Sequence, residues 1–229
     1  MRTKLLAAAA VAALCSIYSL NVATATQFEG VYIGLHGGAA IADADYVHFQ
    51  PLLPLTEPLS FSDADAVGGG QIGVRFDLGA DWVLGLEGTY TAGTVDATEP
   101  SVLSVDRSRS FEIGDQFTAV LQLGKSWGDW LLYVKGGYAN ADIETHSNVI
   151  STGQLTSTSA DRESGYTLGV GLDHAIAPNL VLGLSYDYSH YSPDDRLNVQ
   201  VAPFLGSTTH IQDIDANVHL ITARLSWTF

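Results

Sequence analysis

The sequence predicts an all-β fold, an eight-stranded antiparallel up-and-down transmembrane β-barrel, and three observations support this prediction. Apolar and polar residues alternate with a period of two in short segments along the chain, as expected of strands that separate lipid from a polar interior. Short and long connections join these segments in turn. After residue 25 no stretch has the roughly 18 uninterrupted apolar residues of a transmembrane helix.

The last nine residues show the alternation most clearly. The odd positions are apolar and the even positions are polar, with Ile221, Ala223, Leu225, Trp227 and Phe229 forming the apolar stripe. A soluble edge strand with this stripe would be prone to aggregation. A strand that faces lipid on one side and a polar lumen on the other requires it.

We predict eight strands, at about 30–39, 66–78, 82–91, 110–126, 130–141, 163–175, 180–191 and from about 213 to the C-terminus. Three tight turns, at Gly79–Asp81, Trp127–Asp129 and Pro178–Asn179, alternate with four long polar connections. In an outer-membrane barrel the short turns and both termini face the periplasm and the four long loops face outward.

Aromatic residues mark both predicted ends of the barrel. The four tryptophans lie beside the tight turns or the C-terminus, at Trp82, Trp127, Trp130 and Trp227. Tyrosines lie towards the opposite strand ends, at Tyr90, Tyr138, Tyr166 and Tyr188. Aromatic rings favour membrane interfaces, so we interpret these sets as two girdles. A soluble lipocalin-like barrel or a sandwich is the alternative, and it would place its apolar residues inside.

Residues 1–25 are predicted to be a cleaved secretory signal, and residues 26–229 a single barrel domain. Arg2 and Lys4 precede an apolar run, and Ala23–Ala25 is a small-x-small cleavage site. The apolar run is short for a membrane anchor, which takes about 20 residues. Cleavage would also remove Cys15, the only cysteine, and with it all thiol chemistry.

The chain is strongly acidic. Its formal net charge is −15, and loss of the two cations of the signal would make it −17. This charge argues against nucleic-acid partners and favours cations or basic patches of a partner. Divalent cations could link lipopolysaccharide to carboxylates of the predicted loops, with ordinary solvated acidic loops as the alternative, at Asp43, Asp45, Glu57, Asp63, Asp65, Asp194 and Asp195.

The polar faces of the predicted strands would line the lumen. Their ionisable members are Arg75, Glu87, Lys135, Asp173, Asp187 and Arg224. We expect Arg75 to pair with Glu87 and Asp187 with Arg224, because a buried charge without a partner costs several kcal/mol. An eight-stranded barrel has an interior that side chains can fill. A packed polar plug is therefore favoured over a passive pore, which stays open as the alternative.

The chain resembles the small outer-membrane surface-antigen barrels of alphaproteobacteria, within the OmpA-like transmembrane barrel group. The residues that carry the resemblance are Phe28–Gly34, Gly165–Asp173, Ala177–Leu180, Tyr186–Tyr188 and Leu225–Phe229. The last of these is similar to the C-terminal signal of such barrels, which would engage the barrel-assembly machinery through Leu225, Trp227 and Phe229. The resemblance implies a structural role in the envelope or interaction with a host or extracellular ligand at the loops.

Some relatives in this group bind haem, which makes haem the one cofactor to consider. Tyr188, His190, Tyr191 and His210 lie in or beside two predicted outer connections and would form the haem-contacting patch. His190–Ser192 is also similar to the His-x-Ser of lipid A deacylases, but Pro193 replaces the Asn of their motif.

Of these readings, the sequence favours a non-catalytic envelope protein without a cofactor. In this reading the lumen is plugged and the loops are acidic. Haem binding, a narrow passive pore and, more remotely, lipid A deacylation are the alternatives.

Overall fold

The computed structural model describes residues 27–50, 55–100, 107–151, 155–191, 196–202 and 206–229. These residues form β1 (Gly30–Gln50), β2 (Leu55–Gly79), β3 (Trp82–Ala92), β4 (Val95–Pro100), β5 (Arg107–Trp127), β6 (Trp130–Val149), β7 (Leu155–Ala177), β8 (Leu180–Tyr191), β9 (Arg196–Ala202) and β10 (Gly206–Thr228). No helix in this part of the chain has the length and apolar character needed to cross a membrane.

The strands close into a barrel. Neighbouring strands pair in the order β1-β2-β3-β5-β6-β7-β8-β10, and every pairing is antiparallel. β10 also pairs with β1, from Tyr32 opposite Thr228 to Phe49 opposite Ile211. β4 continues the path of β3 along β5, and β9 pairs with the first part of β10. Eight strands therefore surround the barrel, and the predicted fold class is confirmed.

Three tight turns connect the strands at one end of the barrel, here called the turn end. Each turn accepts a backbone hydrogen bond from a neighbouring strand: Ser126 N donates to Asp81 O at 2.8 Å, Ala175 N to Asp129 O at 2.8 Å, and Thr228 N to Asn179 O at 2.9 Å. Ala80, Asp81 and Gly128 adopt positive φ angles, as tight hairpin turns require. The turns lie where the sequence predicts them.

The four predicted long loops are mostly strands, so this part of the prediction was wrong. β1 continues to Gln50, β2 begins at Leu55, β6 continues to Val149 and β7 begins at Leu155. β2 has 25 residues, whereas a strand needs only about 9–11 to cross a bilayer. Long hairpins therefore continue past the lipid-facing band at the end opposite the turns, here called the hairpin end.

The inward and outward faces exchange character between the two parts of the barrel. In the lipid-facing band the outward residues are apolar and exposed, as with Ile33 and Leu35 on β1. In the hairpin extensions the inward residues are apolar and buried, as with Ala40 and Ala42 of the same strand. The extensions thus follow the rule for a water-soluble sheet. The sequence prediction looked for outward apolar residues, so it ended each strand where that pattern ends.

On β5, a bulge lies where the inward side chains change from polar to apolar. The pairing of β5 with β6 shifts register between Ile113 and Gln116, so Gly114 and Asp115 are accommodated outside the regular ladder. Ile113 and Gln116 are both buried although they are three positions apart. Strict alternation would place them on opposite faces, and the bulge therefore re-aims one of them.

The aromatic girdles lie at the predicted levels. Trp82, Trp127, Trp130 and Trp227 are exposed beside the turn end. Tyr90, Tyr138 and Tyr166 are exposed at the other edge of the apolar band. The predicted signal, residues 1–25, lies outside the described residues.

The C-terminal aromatic side chain points out of the barrel. Phe229 is 69 % exposed, and its backbone N–H donates to Val31 O of β1 at 2.8 Å. Trp227 and Leu225 continue the same outward stripe.

We expect Phe229→Ser to reduce the amount of assembled protein sharply, because it removes the last apolar side chain of the lipid-facing stripe. The conservative change Phe229→Tyr keeps the ring and is the matched control. Heat-modifiable mobility on gels of isolated outer membranes measures the folded fraction. Equal folded fractions for the serine variant and the parent chain would contradict the expectation.

Candidate functional site in the barrel interior

Six ionisable side chains meet inside the barrel, and we call them the polar layer. They come from six strands, because period-two alternation turns one residue of each strand inward at this level. Their side chains are at most 12 % exposed. They are the six residues that the sequence places in the lumen, namely Arg75, Glu87, Lys135, Asp173, Asp187 and Arg224.

The ion pairs differ from those the sequence predicts. Arg75 Nη2 lies 2.7 Å from Asp173 Oδ2, so its partner is Asp173 rather than Glu87. Arg224 Nη2 contacts Glu87 Oε2, so its partner is Glu87 rather than Asp187. Lys135 Nζ lies 3.0 Å from Asp187 Oδ1 and 3.7 Å from Glu87 Oε1.

The reason lies in the residues on the adjacent strands. Arg75 is directly opposite Gly85, and Arg224 is directly opposite Gly183. The Arg75 side chain passes over Gly85, and the Asp173 carboxylate occupies the space over Gly183. Both arginines reach a carboxylate across the lumen, not one on the neighbouring strand. The prediction assumed pairing between adjacent strands, and the sequence gives no direct sign of contacts across the interior.

Two tyrosines join the ion pairs into one network. Tyr32 Oη donates to Glu87 Oε2 at 2.7 Å, and Arg224 Nη1 donates to Tyr133 Oη at 3.0 Å. The Arg75 guanidinium lies 4.7 Å and 5.3 Å from the centres of the Tyr32 and Tyr133 rings. The sequence analysis did not single out these tyrosines. Tyr133 shares the inward face of β6 with Lys135, and Tyr32 is buried beside the outward Ile33 of β1. Period-two alternation could therefore have identified both.

Charge is balanced within the polar layer. Its three cations face three carboxylates, all in ion pairs. Buried charges persist only when they are paired and hydrogen-bonded. The arrangement therefore fills the interior with a neutral cross-link between strands on opposite sides of the barrel.

A neutral set of polar side chains from β1, β2, β3 and β10 adjoins the polar layer. His36 Nδ1 lies 2.8 Å from Gln71 Oε1, and His36 Nε2 lies 3.1 Å from Thr91 Oγ1. Gln71 Nε2 donates to Ser226 Oγ at 3.2 Å. Because Gln71 Oε1 can only accept, His36 carries its proton on Nδ1. These bonds fill the next level of the lumen.

Apolar side chains close both ends of the polar interior. The turn-end layer consists of Phe28, Val83, Leu131, Tyr133, Ala175 and Val181. The hairpin-end layer consists of Ala40, Ala42, Val95, Phe111, Ile113, Ala139, Ala141, Ile143, Tyr191, Ala216 and Val218. Along β6, from the turn end, inward side chains of the three layers follow one another: Leu131 of the turn-end layer, Lys135 of the polar layer, then Ala139 and Ile143 of the hairpin-end layer. The sequence prediction of a uniformly polar lumen missed both layers.

The four residues of the predicted haem patch do not share a surface. Tyr188 and His190 face outward, and both hydrogen-bond to Asn217 Oδ1, at 2.6 Å and 2.9 Å. Tyr191 faces inward, is 0 % exposed and belongs to the hairpin-end layer. The side chain of His210 lies outside the described residues. The prediction placed Tyr191 beside His190 because they are adjacent in sequence, but adjacent strand residues point to opposite faces.

Two sites that the sequence analysis weighed only as alternatives, a deacylase site and a metal site, also receive no support. Ser192, which the deacylase comparison requires, lies outside the described residues. Within those residues, no three His, Cys, Asp or Glu side chains are placed to hold a metal ion.

A closed antiparallel sheet with an outward apolar band and a packed polar interior defines an outer-membrane β-barrel. The chain belongs to the family described as outer membrane protein beta-barrel domain, whose model matches residues 7–229. The structure and the family agree on fold and on a location in the bacterial outer membrane.

Two Coxiella burnetii proteins are similar in sequence. One is an uncharacterized protein, 26% identical over 219 residues, which cover 87% of this chain and 84% of the relative. The other is Outer membrane protein P1, 24% identical over 208 residues, which cover 83% of this chain and 81% of the relative.

Two solved barrels are similar in structure. The Escherichia coli outer membrane protease OmpT has a TM-score of 0.66 at 10% identity, with 93% of this chain and 100% of OmpT covered. The Pseudomonas aeruginosa outer membrane protein OprG has a TM-score of 0.57 at 15% identity, with 90% of this chain and 99% of OprG covered. At these identities the likeness shows the fold alone.

Proposed function

We propose that this chain is a non-catalytic outer-membrane β-barrel with a plugged lumen, which acts as a structural element of the envelope and as a surface-interaction protein. The observation that carries the proposal is the polar layer between two apolar layers. An ion that crossed the lumen would have to separate buried ion pairs and then enter a region without polar partners, and both steps are costly.

Nothing in this proposal requires a cofactor or a reaction. The likeness to the protease OmpT concerns the fold, and function depends on the side chains of a site. The ionisable residues of the interior are engaged with one another, and they are enclosed by the apolar layers. Their chemistry supports a mechanical cross-link and gives no route for a substrate.

The proposed partner surface is the acidic hairpin end. Asp63, Asp65 and Asp96 have exposed side chains there. Exposed carboxylates favour basic partner patches, or lipopolysaccharide linked through divalent cations. An extracellular or host ligand would meet the same surface. The lipid-facing band contacts outer-membrane lipid, and the outward stripe that ends at Phe229 is proposed to engage the barrel-assembly machinery.

This role requires the hairpin end to face outward and the turn end, with both termini, to face the periplasm. We expect a protease site inserted near Thr156 or Thr208 to be cut on whole cells. The same insertion near Asp129 should be cut only after the outer membrane is permeabilised. Cleavage near Asp129 on intact cells, with both hairpin sites protected, would reverse the orientation.

The plugged lumen is tested by conductance. We expect the refolded barrel in planar bilayers to show little or no porin-like current, because the polar layer and both apolar layers obstruct the path. The matched variant Asp142→Asn removes a carboxylate at the hairpin end and should leave the measured current unchanged. A wide, weakly selective channel in the parent protein would reject the proposal and favour the passive pore.

A further inference from the structure

The segment before β1 crosses the mouth of the barrel at the turn end. Gln27 Nε2 donates to Asp129 Oδ1 at 2.7 Å and to Gly128 O at 3.2 Å. Gly128 and Asp129 form the turn between β5 and β6. In the order of strands around the barrel, that turn lies on the side opposite β1. We call residues 27–29 the strap, because they reach from β1 to the far wall.

The strap inserts one large apolar side chain into the barrel. Phe28 is 1 % exposed and packs in the turn-end layer, where Val83, Leu131 and Val181 also lie. These three residues come from three strands spread around the barrel, β3, β6 and β8. The ring therefore packs among inward side chains of several strands.

The backbone allows the strap to turn inward at one residue. Gly30, the first residue of β1, has a φ of 125°, a region that side-chain-bearing residues rarely adopt. The strap itself lies before the first strand, so it contributes nothing to the β1–β2 and β1–β10 ladders. Within the part of the chain that the structure describes, its hold on the far wall consists of the Gln27 hydrogen bonds and the burial of Phe28.

We propose that the strap is a plug that seals the turn-end mouth of the lumen. The proposal rests on the proposed function, since it assigns the turn-end closure of the plugged barrel to a named segment. Among the described residues the plug is held by one ring and two hydrogen bonds, so displacing it breaks no strand pairing. With the strap displaced, water and small solutes would reach the turn-end layer, while the polar layer and the hairpin-end layer stay in place.

Single-cysteine labelling of the refolded chain 26–229 tests this proposal, because that chain has no native cysteine. Ala175→Cys reports on the turn-end layer, and Ala139→Cys reports on the hairpin-end layer. The probe is a small charged methanethiosulfonate added to folded barrel in micelles, and mass spectrometry follows the labelling rate. With the strap intact, we expect both reporters to be protected.

The strap is displaced in two independent ways. Phe28→Ala removes the plug, and Gly30→Ala keeps the Phe28 ring but makes the inward turn unfavourable. Either change should raise labelling at Ala175→Cys by roughly tenfold or more, since the reporter then needs no local opening to meet the reagent. Ala139→Cys should stay protected in every variant. Heat-modifiable gel mobility confirms that each barrel is folded.

The outcomes separate the two proposals. Protection of Ala175→Cys in both folded strap variants, or its rapid labelling with the strap intact, would overturn the plug. Rapid labelling of Ala139→Cys in the parent barrel would instead overturn the plugged lumen. If Phe28→Ala fails to fold, the Gly30→Ala barrel alone decides the result.

Discussion

Asp173→Asn is expected to destabilise the barrel by about 3–5 kcal/mol, because it leaves the buried Arg75 guanidinium without a counter-ion. The Arg75–Asp173 pair, 2.7 Å long, is almost fully enclosed, with side-chain exposures of 4% and 6%. Tyr133 and Gln122 are the neutral neighbours that hydrogen-bond to this pair, and neither can replace the lost charge. The free energy of unfolding in urea, measured on the barrel in lipid vesicles, gives the effect.

The chain contains a matched control for this measurement. Asp142 and Arg162 form a second aspartate–arginine pair of the same length, 2.7 Å, at the hairpin end. There the side chains of Arg162 and Asp142 are 56% and 41% exposed. The hydrogen bond from Arg162 lowers the pKa of Asp142, but exposed pairs add little stability. Asp142→Asn should therefore leave the free energy of unfolding nearly unchanged.

A double variant completes the test. Arg75→Met combined with Asp173→Asn removes both charges, so no buried ion is left without a partner. Its effect should be smaller than the sum of the two single effects. Additive effects, or an Asp173→Asn effect no larger than that of Asp142→Asn, would show that water screens the interior and would weaken the case for a plugged lumen.

Gly38→Ala is expected to damage closure of the barrel. Gly38 lies in the ladder between β1 and β10, opposite Thr222. A Cβ atom at Gly38 would overlap the backbone carbonyl oxygen of Ile221 and lie 2.8 Å from Thr222 Cα. Backbone cannot move aside as a flexible side chain can, so the two closing strands must separate. We expect destabilisation at or above the upper end of the roughly 1–3 kcal/mol typical of overpacking.

The adjacent residue is the control for this change. A Cβ at Gly37 would have Val67 O as its nearest neighbour, at 3.8 Å, an ordinary contact distance. Gly37→Ala should therefore fold as the parent does, although both variants add one methyl group to the same strand. Refolding yield into vesicles and unfolding in urea compare the two. Equal behaviour of the two variants would refute the close approach of β1 and β10 at this point.

The sequence predicts strands correctly where lipid contacts their outward face. Ile33 and Leu35 face lipid, so the alternation around them predicts a strand correctly. In the extensions the outside is water, and the apolar residues, such as Ala40 and Ala42, move to the inward face. A search for outward apolar residues cannot detect that change. The bulge between Ile113 and Gln116 shifts the phase again, and local composition gives no direct sign of it.

The sequence predicts which charged residues line the interior but not which of them form ion pairs. Period-two alternation is enough to turn Arg75, Glu87 and Arg224 inward. Which carboxylate each arginine reaches depends on distances across the barrel, and those follow from strand tilt and from the glycines on neighbouring strands. For Tyr191 the prediction chose the wrong face. It grouped Tyr191 with His190 because they are adjacent in sequence, although alternation places them on opposite faces.

The ladder between β1 and β10 also has a consequence for folding kinetics. It joins the two ends of the chain, with Tyr32 opposite Thr228, so its loop-closure entropy is the largest of any strand pair in the barrel. Contacts between distant residues form slowly. Until they form, β1 and the last completed strand present unpaired edges that can bind another chain. A nascent barrel that stops before β10 would therefore remain open and prone to aggregation, however well its earlier hairpins had formed.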